Sequence, residues 1–379
     1  MKLLDRYLLR NFLEPFLICS FGFLAIWLVF DLADNARDFI DAGVSMRKVA
    51  FFYLTQLPQI ILVSLPVGML LALIFCLSRM SRSNEIISML TAGMSVWRIV
   101  LPLALAGLLL TGLLTVLNYE AAPHAEAMKK MDLDQIKRGK KAGQKEVLEG
   151  YLFRERQKDR TWFIKRFRQA TGTLDHVHVT QHGPDGAIVS KWYARRAVFD
   201  AKTRTWTLER GMQVDFNAAG DVEQRTDFQT GVKAIEGWTE TPWRIASAQY
   251  EPQNLTVPEL REYLKFNGDF PEVQLAPYRA YLWHRWAFPF QALIVVFIGA
   301  PLSIVFSRRG VIGGVAGAIF LYAGLLLSTY LFLALGKGWR MNAIMSAWAP
   351  NAFFFAIGLA LLYLRSTNRD LPSLTFKRK

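Results

Sequence analysis

The sequence predicts an α-helical membrane protein with six transmembrane helices, three on either side of an inserted extracytoplasmic all-β domain of jelly-roll-like type. Three observations lead there. The chain has 379 residues, 52% of them hydrophobic, yet carries a formal charge of +14, because its apolar residues are gathered into long uncharged runs. Between the third and fourth runs lies a polar insert of short alternating segments. The short loops between the runs differ sharply in Lys and Arg content from one side to the other.

The runs are Pro15 to Phe30, Val49 to Leu77, Ile99 to Asn118, Trp286 to Phe306, Gly310 to Gly336 and Met341 to Leu364. All but the first are long enough to cross a hydrocarbon core, which takes about 20 helical residues. The first spans if its helix continues through Asn11 and Phe12. A cleaved signal peptide is the other reading of that stretch, but its only small-residue site, near Ala33 and Ala36, is flanked by Asp31, Asp34 and Asp38, so it is read as a retained span. Lys2, Arg6 and Arg10 sit four apart on one helix face, suited to anionic headgroups.

Orientation follows from the basic residues. Lys2, Arg6, Arg10, Arg79, Arg82, Arg98, Arg308, Arg309, Arg365, Arg369, Lys377, Arg378 and Lys379 fall on one side; Arg37, Arg47, Lys48, Lys337 and Arg340 fall on the other. Both termini and the Arg79 to Arg98 connection are therefore expected in the cytoplasm, and the insert opposite. The organisation is an N-terminal transmembrane half, 1–118, an extracytoplasmic stalk and β domain, 119–278, and a C-terminal transmembrane half with a cytoplasmic tail, 279–379.

The connection between spans two and three is the most informative stretch. Ile86, Leu90 and Met94 recur every four residues with Ile87 beside them, a stripe suited to a helix of about 82–95 lying on the bilayer or against a partner. Ser83 or Asn84 is placed to cap its start, Glu85 falls in the first turn, and Gly93 is placed to end it.

In the insert, Glu120 to Lys145 reads as a helical stalk. Strands are expected at Tyr151–Phe153, Thr161–Ile164, His176–Val179, Ala187–Phe199, Thr205–Leu208 and Met212–Phe216, separated by turn signals such as Gly183-Pro184-Asp185-Gly186 and Ala219-Gly220-Asp221. Thr256-Val257-Pro258-Glu259 is a capping-box pattern opening a helix to about Phe266. Pro58 and Pro66 in span two, and Pro289 and Pro301 in span four, mark the spans expected to bend. Gly310, Gly313, Gly314 and Gly317 open span five, consistent with close helix packing or a lateral interface.

Catalytic chemistry is not visible. There is no phosphate loop, dinucleotide glycine run or nucleophile elbow, and His176, His178 and His182 do not amount to a metal site. Cys19 and Cys76 read as small buried apolar residues. Apart from Glu14 the apolar runs hold no acid or base, so the relay of an ion-coupled transporter is missing and energy must come from a partner. No cofactor and no nucleic acid is implied.

The layout resembles the LptF/LptG permease family, the membrane subunits of the lipopolysaccharide-exporting ABC transporter. The residues carrying the resemblance are Leu4-Asp5-Arg6-Tyr7 with Phe12 and Pro15-Phe16, Arg82-Ser83-Asn84-Glu85 with Ala92-Gly93-Met94-Ser95, and Phe288-Pro289 through Gly299-Ala300-Pro301-Leu302-Ser303. The resemblance implies a non-enzymatic subunit of the cell inner membrane that works with two copies of a cytoplasmic ATPase, a second homologous six-span permease and a periplasmic bridge protein, to move lipopolysaccharide. It implies that the connection after span two is a coupling helix docking into the ATPase, with Glu85 its acidic residue and Arg82, Ser83 and Gly93 in the same motif. It also implies lateral gates at Ala25 to Leu32 and at the Gly310 to Gly317 run, with Gly313 and Gly317, and a jelly roll that hands lipid to the bridge. Some members carry basic residues at the outer end of span one, where this chain has Asp31 and Asp34; Arg37, Arg47 and Lys48 nearby are expected to hold lipid phosphates instead. The alternatives are a signalling or assembly protein with a ligand-binding β domain, and a permease of the same architecture for another amphiphile.

Overall fold

The structure is a computed structural model that describes residues 3–138, 147–155, 158–168, 172–247, 251–268, 270–304 and 310–367. Lys2, Arg308, Arg309, Arg369, Lys377, Arg378 and Lys379, used above for orientation, lie outside the described residues, as does the stretch 139–145 of the expected stalk. The chain divides into two compact units: one comprising Met1–Leu133, Pro252–Leu264 and Pro271–Lys379, the other Asp134–Glu251 and Lys265–Phe270.

The first unit is helical. Among the described residues, six helices are long and apolar enough to cross a membrane: Leu3–Asp41, Met46–Arg82, Val96–Lys130, Glu272–Ser303, Gly313–Lys337 and Ala343–Ser366. In chain order come α1 (Leu3–Asp41), α2 (Met46–Arg82), a short connector α3 (Glu85–Thr91), and α4 (Val96–Val116), which runs through a π turn at Leu117–Ala121 into α5 (Ala122–Arg138). After the strands of the second unit and its short helix α6 (Pro242–Ser247), the chain returns through α7 (Val257–Phe266) to α8 (Glu272–Ala287), α9 (Gln291–Ser303), α10 (Gly310–Lys337) and α11 (Ala343–Ser366). The capping box forms as expected: the Thr256 backbone N–H and hydroxyl both donate to the Glu259 carboxylate at 2.8 Å.

Proline acts unequally. Pro58 and Pro66 sit inside the unbroken α2, whereas Pro289 lies in a 3-10 turn, Phe288–Phe290, separating α8 from α9. The expectation that the spans lack ionisable groups is corrected. The fourth membrane helix begins at Glu272, well before the apolar run at Trp286, and so takes in His284 and Arg285. Arg285 is 7% exposed; it donates to the Asn118 side chain at 3.1 Å and to the Gln253 carbonyl, and Asn118 donates to the Arg285 carbonyl at 2.7 Å. A buried cation is tolerated where hydrogen bonds replace its lost hydration, and this one pins α8 to the α4–α5 rod.

Close helix packing is also placed elsewhere than expected. A Cβ at Gly68 would collide with Ser20, at Gly107 with Val296, and at Gly358 with Phe297, so these glycines let helix backbones approach. Gly313 is exposed with open space beside it, whereas Gly317 is buried and a Cβ there would meet Leu302 in ordinary van der Waals contact. α1 is the barest of the membrane helices described, with 6% of its apolar window buried.

The second unit holds one six-stranded antiparallel sheet made of β1 (Val147–Glu155), β2 (Arg160–Arg168), β3 (Thr173–His182), β4 (Ile188–Asp200), β5 (Thr205–Phe216) and β6 (Val222–Ile235). Consecutive strands are neighbours, in the order β1-β2-β3-β4-β5-β6. The antiparallel β domain is as expected, but its order is a meander of hairpins rather than the crossing order of a sandwich or jelly roll. Turn signals fix only which neighbours form hairpins. Two expected strands, Thr205–Leu208 and Met212–Phe216, are one strand interrupted by a bulge, and β6 was not foreseen.

That bulge belongs to a larger irregularity. The pairs flanking it place Gly150, Lys165, His176, Arg195 and Arg210 on one rung crossing five strands, with left-handed φ at Gly150 (66°), His176 (50°) and Arg210 (53°) on alternate strands. Buried positions next to this rung are three apart instead of two: Ile164 and Phe167, Leu174 and Val177, Ala194 and Ala197, Leu208 and Gly211. All except Gly211 belong to one hydrophobic cluster. In an unbroken strand a spacing of three would send the second buried residue of each pair to the other face; the extra residue on each strand keeps both halves of the sheet facing one core and forms a crease. Gly211 is required there, since a Cβ would fall on the Tyr193 carbonyl oxygen.

Beneath the sheet, Trp162 and Trp206 are fully buried, and a buried ion network closes the core. Arg160 pairs with Glu240 at 3.3 Å and Arg244 with Glu155 at 3.1 Å, all with side chains 4% exposed or less. Trp162 Nε1 donates to the Glu240 carboxylate and Trp206 Nε1 to its carbonyl. Burial pushes the Arg160 guanidinium down from its ordinary value, and Glu240 opposes that push.

Candidate functional site: the connector and its clamps

The connector is rigid because it is held from three directions. Asn84 precedes α3 in the left-handed region (φ 62°) and its side chain makes no cap bond; Ser83 does not cap either. The Ser83 hydroxyl instead donates to the Glu85 carboxylate at 2.8 Å, while the Tyr7 hydroxyl, from α1, donates to the other Glu85 oxygen at 2.8 Å. At the far end, Gly93 takes φ 87°, where an L side chain is strained, and the Gly93 and Met94 N–H groups bond back to the Leu90 and Met89 carbonyls.

The apolar stripe faces inward. Ile86 is 1% exposed, and Met89, Leu90 and Met94 pack against the same helical core. The expectation of a stripe lying on the bilayer or a partner is corrected: it anchors the connector to its own bundle. Presented outward are Arg82, Ser83, Asn84, Ser88, Thr91, Ala92 and Gly93, all exposed. A second clamp joins α1 to the start of α4, where Arg98 pairs with Asp5 at 2.9 Å. Asp5 and Tyr7 thus belong to one device, and the Leu4-Asp5-Arg6-Tyr7 motif acquires a physical role that sequence spacing did not reveal.

Between α1 and α2, beside the connector, lies a cavity of about 250 Å³ lined by Tyr7, Asn11, Glu14, Cys19, Arg79 and Glu85 among others. Cys76 lines it too, and both cysteines are free. Glu14, the acid noted within span one, therefore faces this cavity.

At the opposite end of α1, Arg37, Arg47 and Lys48 are exposed; Arg37 makes an i,i+4 pair with Asp41 at 3.7 Å with both side chains largely in solvent, worth little. Asp31 is not a bare negative charge. Lys129 of α5 pairs with it at 2.5 Å and also stands over the Trp27 ring, and the Tyr53 hydroxyl and the Asn35 amide donate to it. Lys129 was missed in sequence because it is 98 positions from its partner.

Comparison with protein families decides what class of protein carries this arrangement. The family model described as "Lipopolysaccharide export system permease LptF/LptG" matches residues 6–364, spanning all six membrane helices and the sheet. The chain belongs to the LptF/LptG family. No curated protein matches it. As an LptF/LptG member with six apolar helices it is a multi-pass membrane protein, and its family is one of transport permeases. Glu85, Arg82, Ser83 and Gly93 are gathered at one end of the bundle; Arg37, Arg47 and Lys48 cluster around the α1–α2 turn, separate from Gly313 and Gly317 on α10.

Proposed function

We propose that this chain is the non-catalytic permease subunit of an ABC transporter that draws lipopolysaccharide out of the inner membrane and passes it to a periplasmic bridge. In this reading it pairs with a second homologous six-span permease and two copies of a cytoplasmic ATPase. The observation that carries the reading is the family match along almost the whole chain. The clamped connector supports it, because a lever transmits motion only if it is stiff and fixed to what it moves. Ile86 fixes α3 to the bundle, Tyr7 and Asp5 fix α1 to the connector region, and the polar outer surface from Arg82 to Gly93 is left for the ATPase. ATP-driven closure of the ATPase dimer then shifts α3 and α1 together. The exposed face of α1 and the opening of α10 from Gly313 to Gly317 serve as lateral gates, with Arg37, Arg47 and Lys48 meeting lipid phosphates at the outer end.

Glu85→Lys tests this. It places a cation beside Ser83 and Tyr7, breaks both bonds and reverses the charge offered to the ATPase. The protein inserts, yet ATP-stimulated lipid release in proteoliposomes falls to background. Retained release overturns the assignment, as does accessibility labelling that places residues 79–98 outside the cytoplasm.

A further inference from the structure

The crease of the sheet unit presents an unusual distribution of charge. Two adjacent exposed or half-exposed rungs cross β2 to β5. One reads Arg166, Asp175, Arg196, Glu209 and alternates in sign. The other reads Lys165, His176, Arg195, Arg210, is fully exposed, and holds no acid. Like charges directly opposite one another on a sheet are destabilising, and His176 and Arg210 also occupy left-handed backbone that side chains other than glycine adopt at a cost. Among the described residues, no ion pair engages Lys165, Arg195 or Arg210.

The surroundings narrow the ligand. A groove of about 800 Å³ runs along this rung, lined by His176, His178, Tyr193, Arg195, Arg210 and Met212. Beside the cations lies an aromatic row on the same exposed side: Phe163 to His178 with ring centres 5.8 Å apart, and His178 to Tyr193 at 4.8 Å. Burial and the neighbouring His176 lower the His178 pKa, so it joins the row as a neutral ring. Aromatic faces suit the apolar faces of sugar rings, and guanidinium forks suit phosphate. Strand spacing of about 4.8 Å puts Lys165 and Arg210 on the order of 14 Å apart, room for more than one phosphate.

We infer that the crease is a binding site for a phosphorylated saccharide, with Arg195 and Arg210 holding phosphate and Tyr193 with His178 supporting the sugar ring. This rests on the proposed function in one respect: the phosphorylated saccharide it would meet in the cell is the head of the lipid cargo.

The test uses the full chain in detergent micelles, with glucose 1,6-bisphosphate as probe and inorganic phosphate as comparison, followed by calorimetry and phosphorus NMR. The bisphosphate binds in a salt-dependent manner, inorganic phosphate binds at least tenfold more weakly, and Arg195→Gln/Arg210→Gln weakens the bisphosphate at least tenfold without lowering the melting temperature. Should the double variant fold poorly, Lys165→Gln and Tyr193→Leu, tested singly, each weaken binding severalfold. Absence of binding, or binding unchanged in these variants, overturns the site. Equal affinity for inorganic phosphate overturns the saccharide assignment. Neither readout needs an ATPase, so a chain that binds the bisphosphate but releases no lipopolysaccharide retains the site and loses the transport reading.

Discussion

The Tyr7 hydroxyl donates a 2.8 Å hydrogen bond to the Glu85 carboxylate across 78 positions of sequence, joining the first turns of α1 to the connector. This bond makes the connector part of the bundle's outermost helix. Tyr7→Phe removes the donor and keeps the ring. A hydrogen bond of this exposure is worth about 1 kcal/mol, so amide exchange across 85–94 rises roughly fivefold while insertion is unchanged. Exchange measured by mass spectrometry on the full chain checks it; unaltered rates mean that Ser83 and Ile86 suffice.

The Asp31–Lys129 pair is mostly buried and backed by Trp27 and Tyr53. Lys129→Met leaves a carboxylate in that setting without its cation and lowers the melting temperature. Asp31→Asn/Lys129→Met recovers part of the loss, because no charge is stranded. A double-mutant cycle in detergent returns a coupling of about 1–3 kcal/mol; additive losses show that the two residues act separately.

In the sheet unit, Glu240→Gln strips the charge from a carboxylate that meets Arg160 and Trp162. Removing one partner of a buried pair costs about 3–5 kcal/mol. Near-ultraviolet dichroism from the Trp162, Trp206 and Trp238 cluster fades at a lower temperature than in the parent chain. An unchanged transition shows that the substituted amide keeps the hydrogen bonds and that charge contributes little.

Asp200, in the β4–β5 turn, has its carboxyl held below the usual range by the Lys202 backbone N–H and by the Thr203 hydroxyl. A carboxyl depressed in the folded state adds stability that is complete above its unfolded value of about 3.9 and is lost as pH falls through the folded value. Asp200→Asn therefore lowers the melting temperature at pH 7 and narrows the gap between variant and parent in the acid limb. Parallel curves down to about pH 3, below that unfolded value, would refute this.

The six helices were legible because burial in lipid demands uncharged runs of fixed length, and composition alone records that demand. Their ends were less so. Arg285 lies in a membrane helix because Asn118 and Gln253 satisfy it, and no local pattern announces such partners. In the sheet, β6 escaped notice because Val222 to Asp227 is exposed and mostly polar, with no apolar alternation to read. The gap seen at Glu209-Arg210-Gly211 was real but was a bulge, not a turn. Its signal was present in the sequence as a repeated pattern: Ile164-Lys165-Arg166-Phe167, Leu174-Asp175-His176-Val177, Ala194-Arg195-Arg196-Ala197 and Leu208-Glu209-Arg210-Gly211 each set a polar pair between two small or apolar residues. At the connector, the residues were legible and their partners were not, since Tyr7 and Asp5 reach Glu85 and Arg98 only through the fold.

α1 is tied at its beginning by Asp5 and Tyr7 and at its far end by Asp31, and between them Ser20 rests on Gly68 of α2. Such a helix behaves like a beam pinned at both supports: detaching it means breaking ion pairs at both ends, so whatever moves one anchorage is carried along the beam to the other.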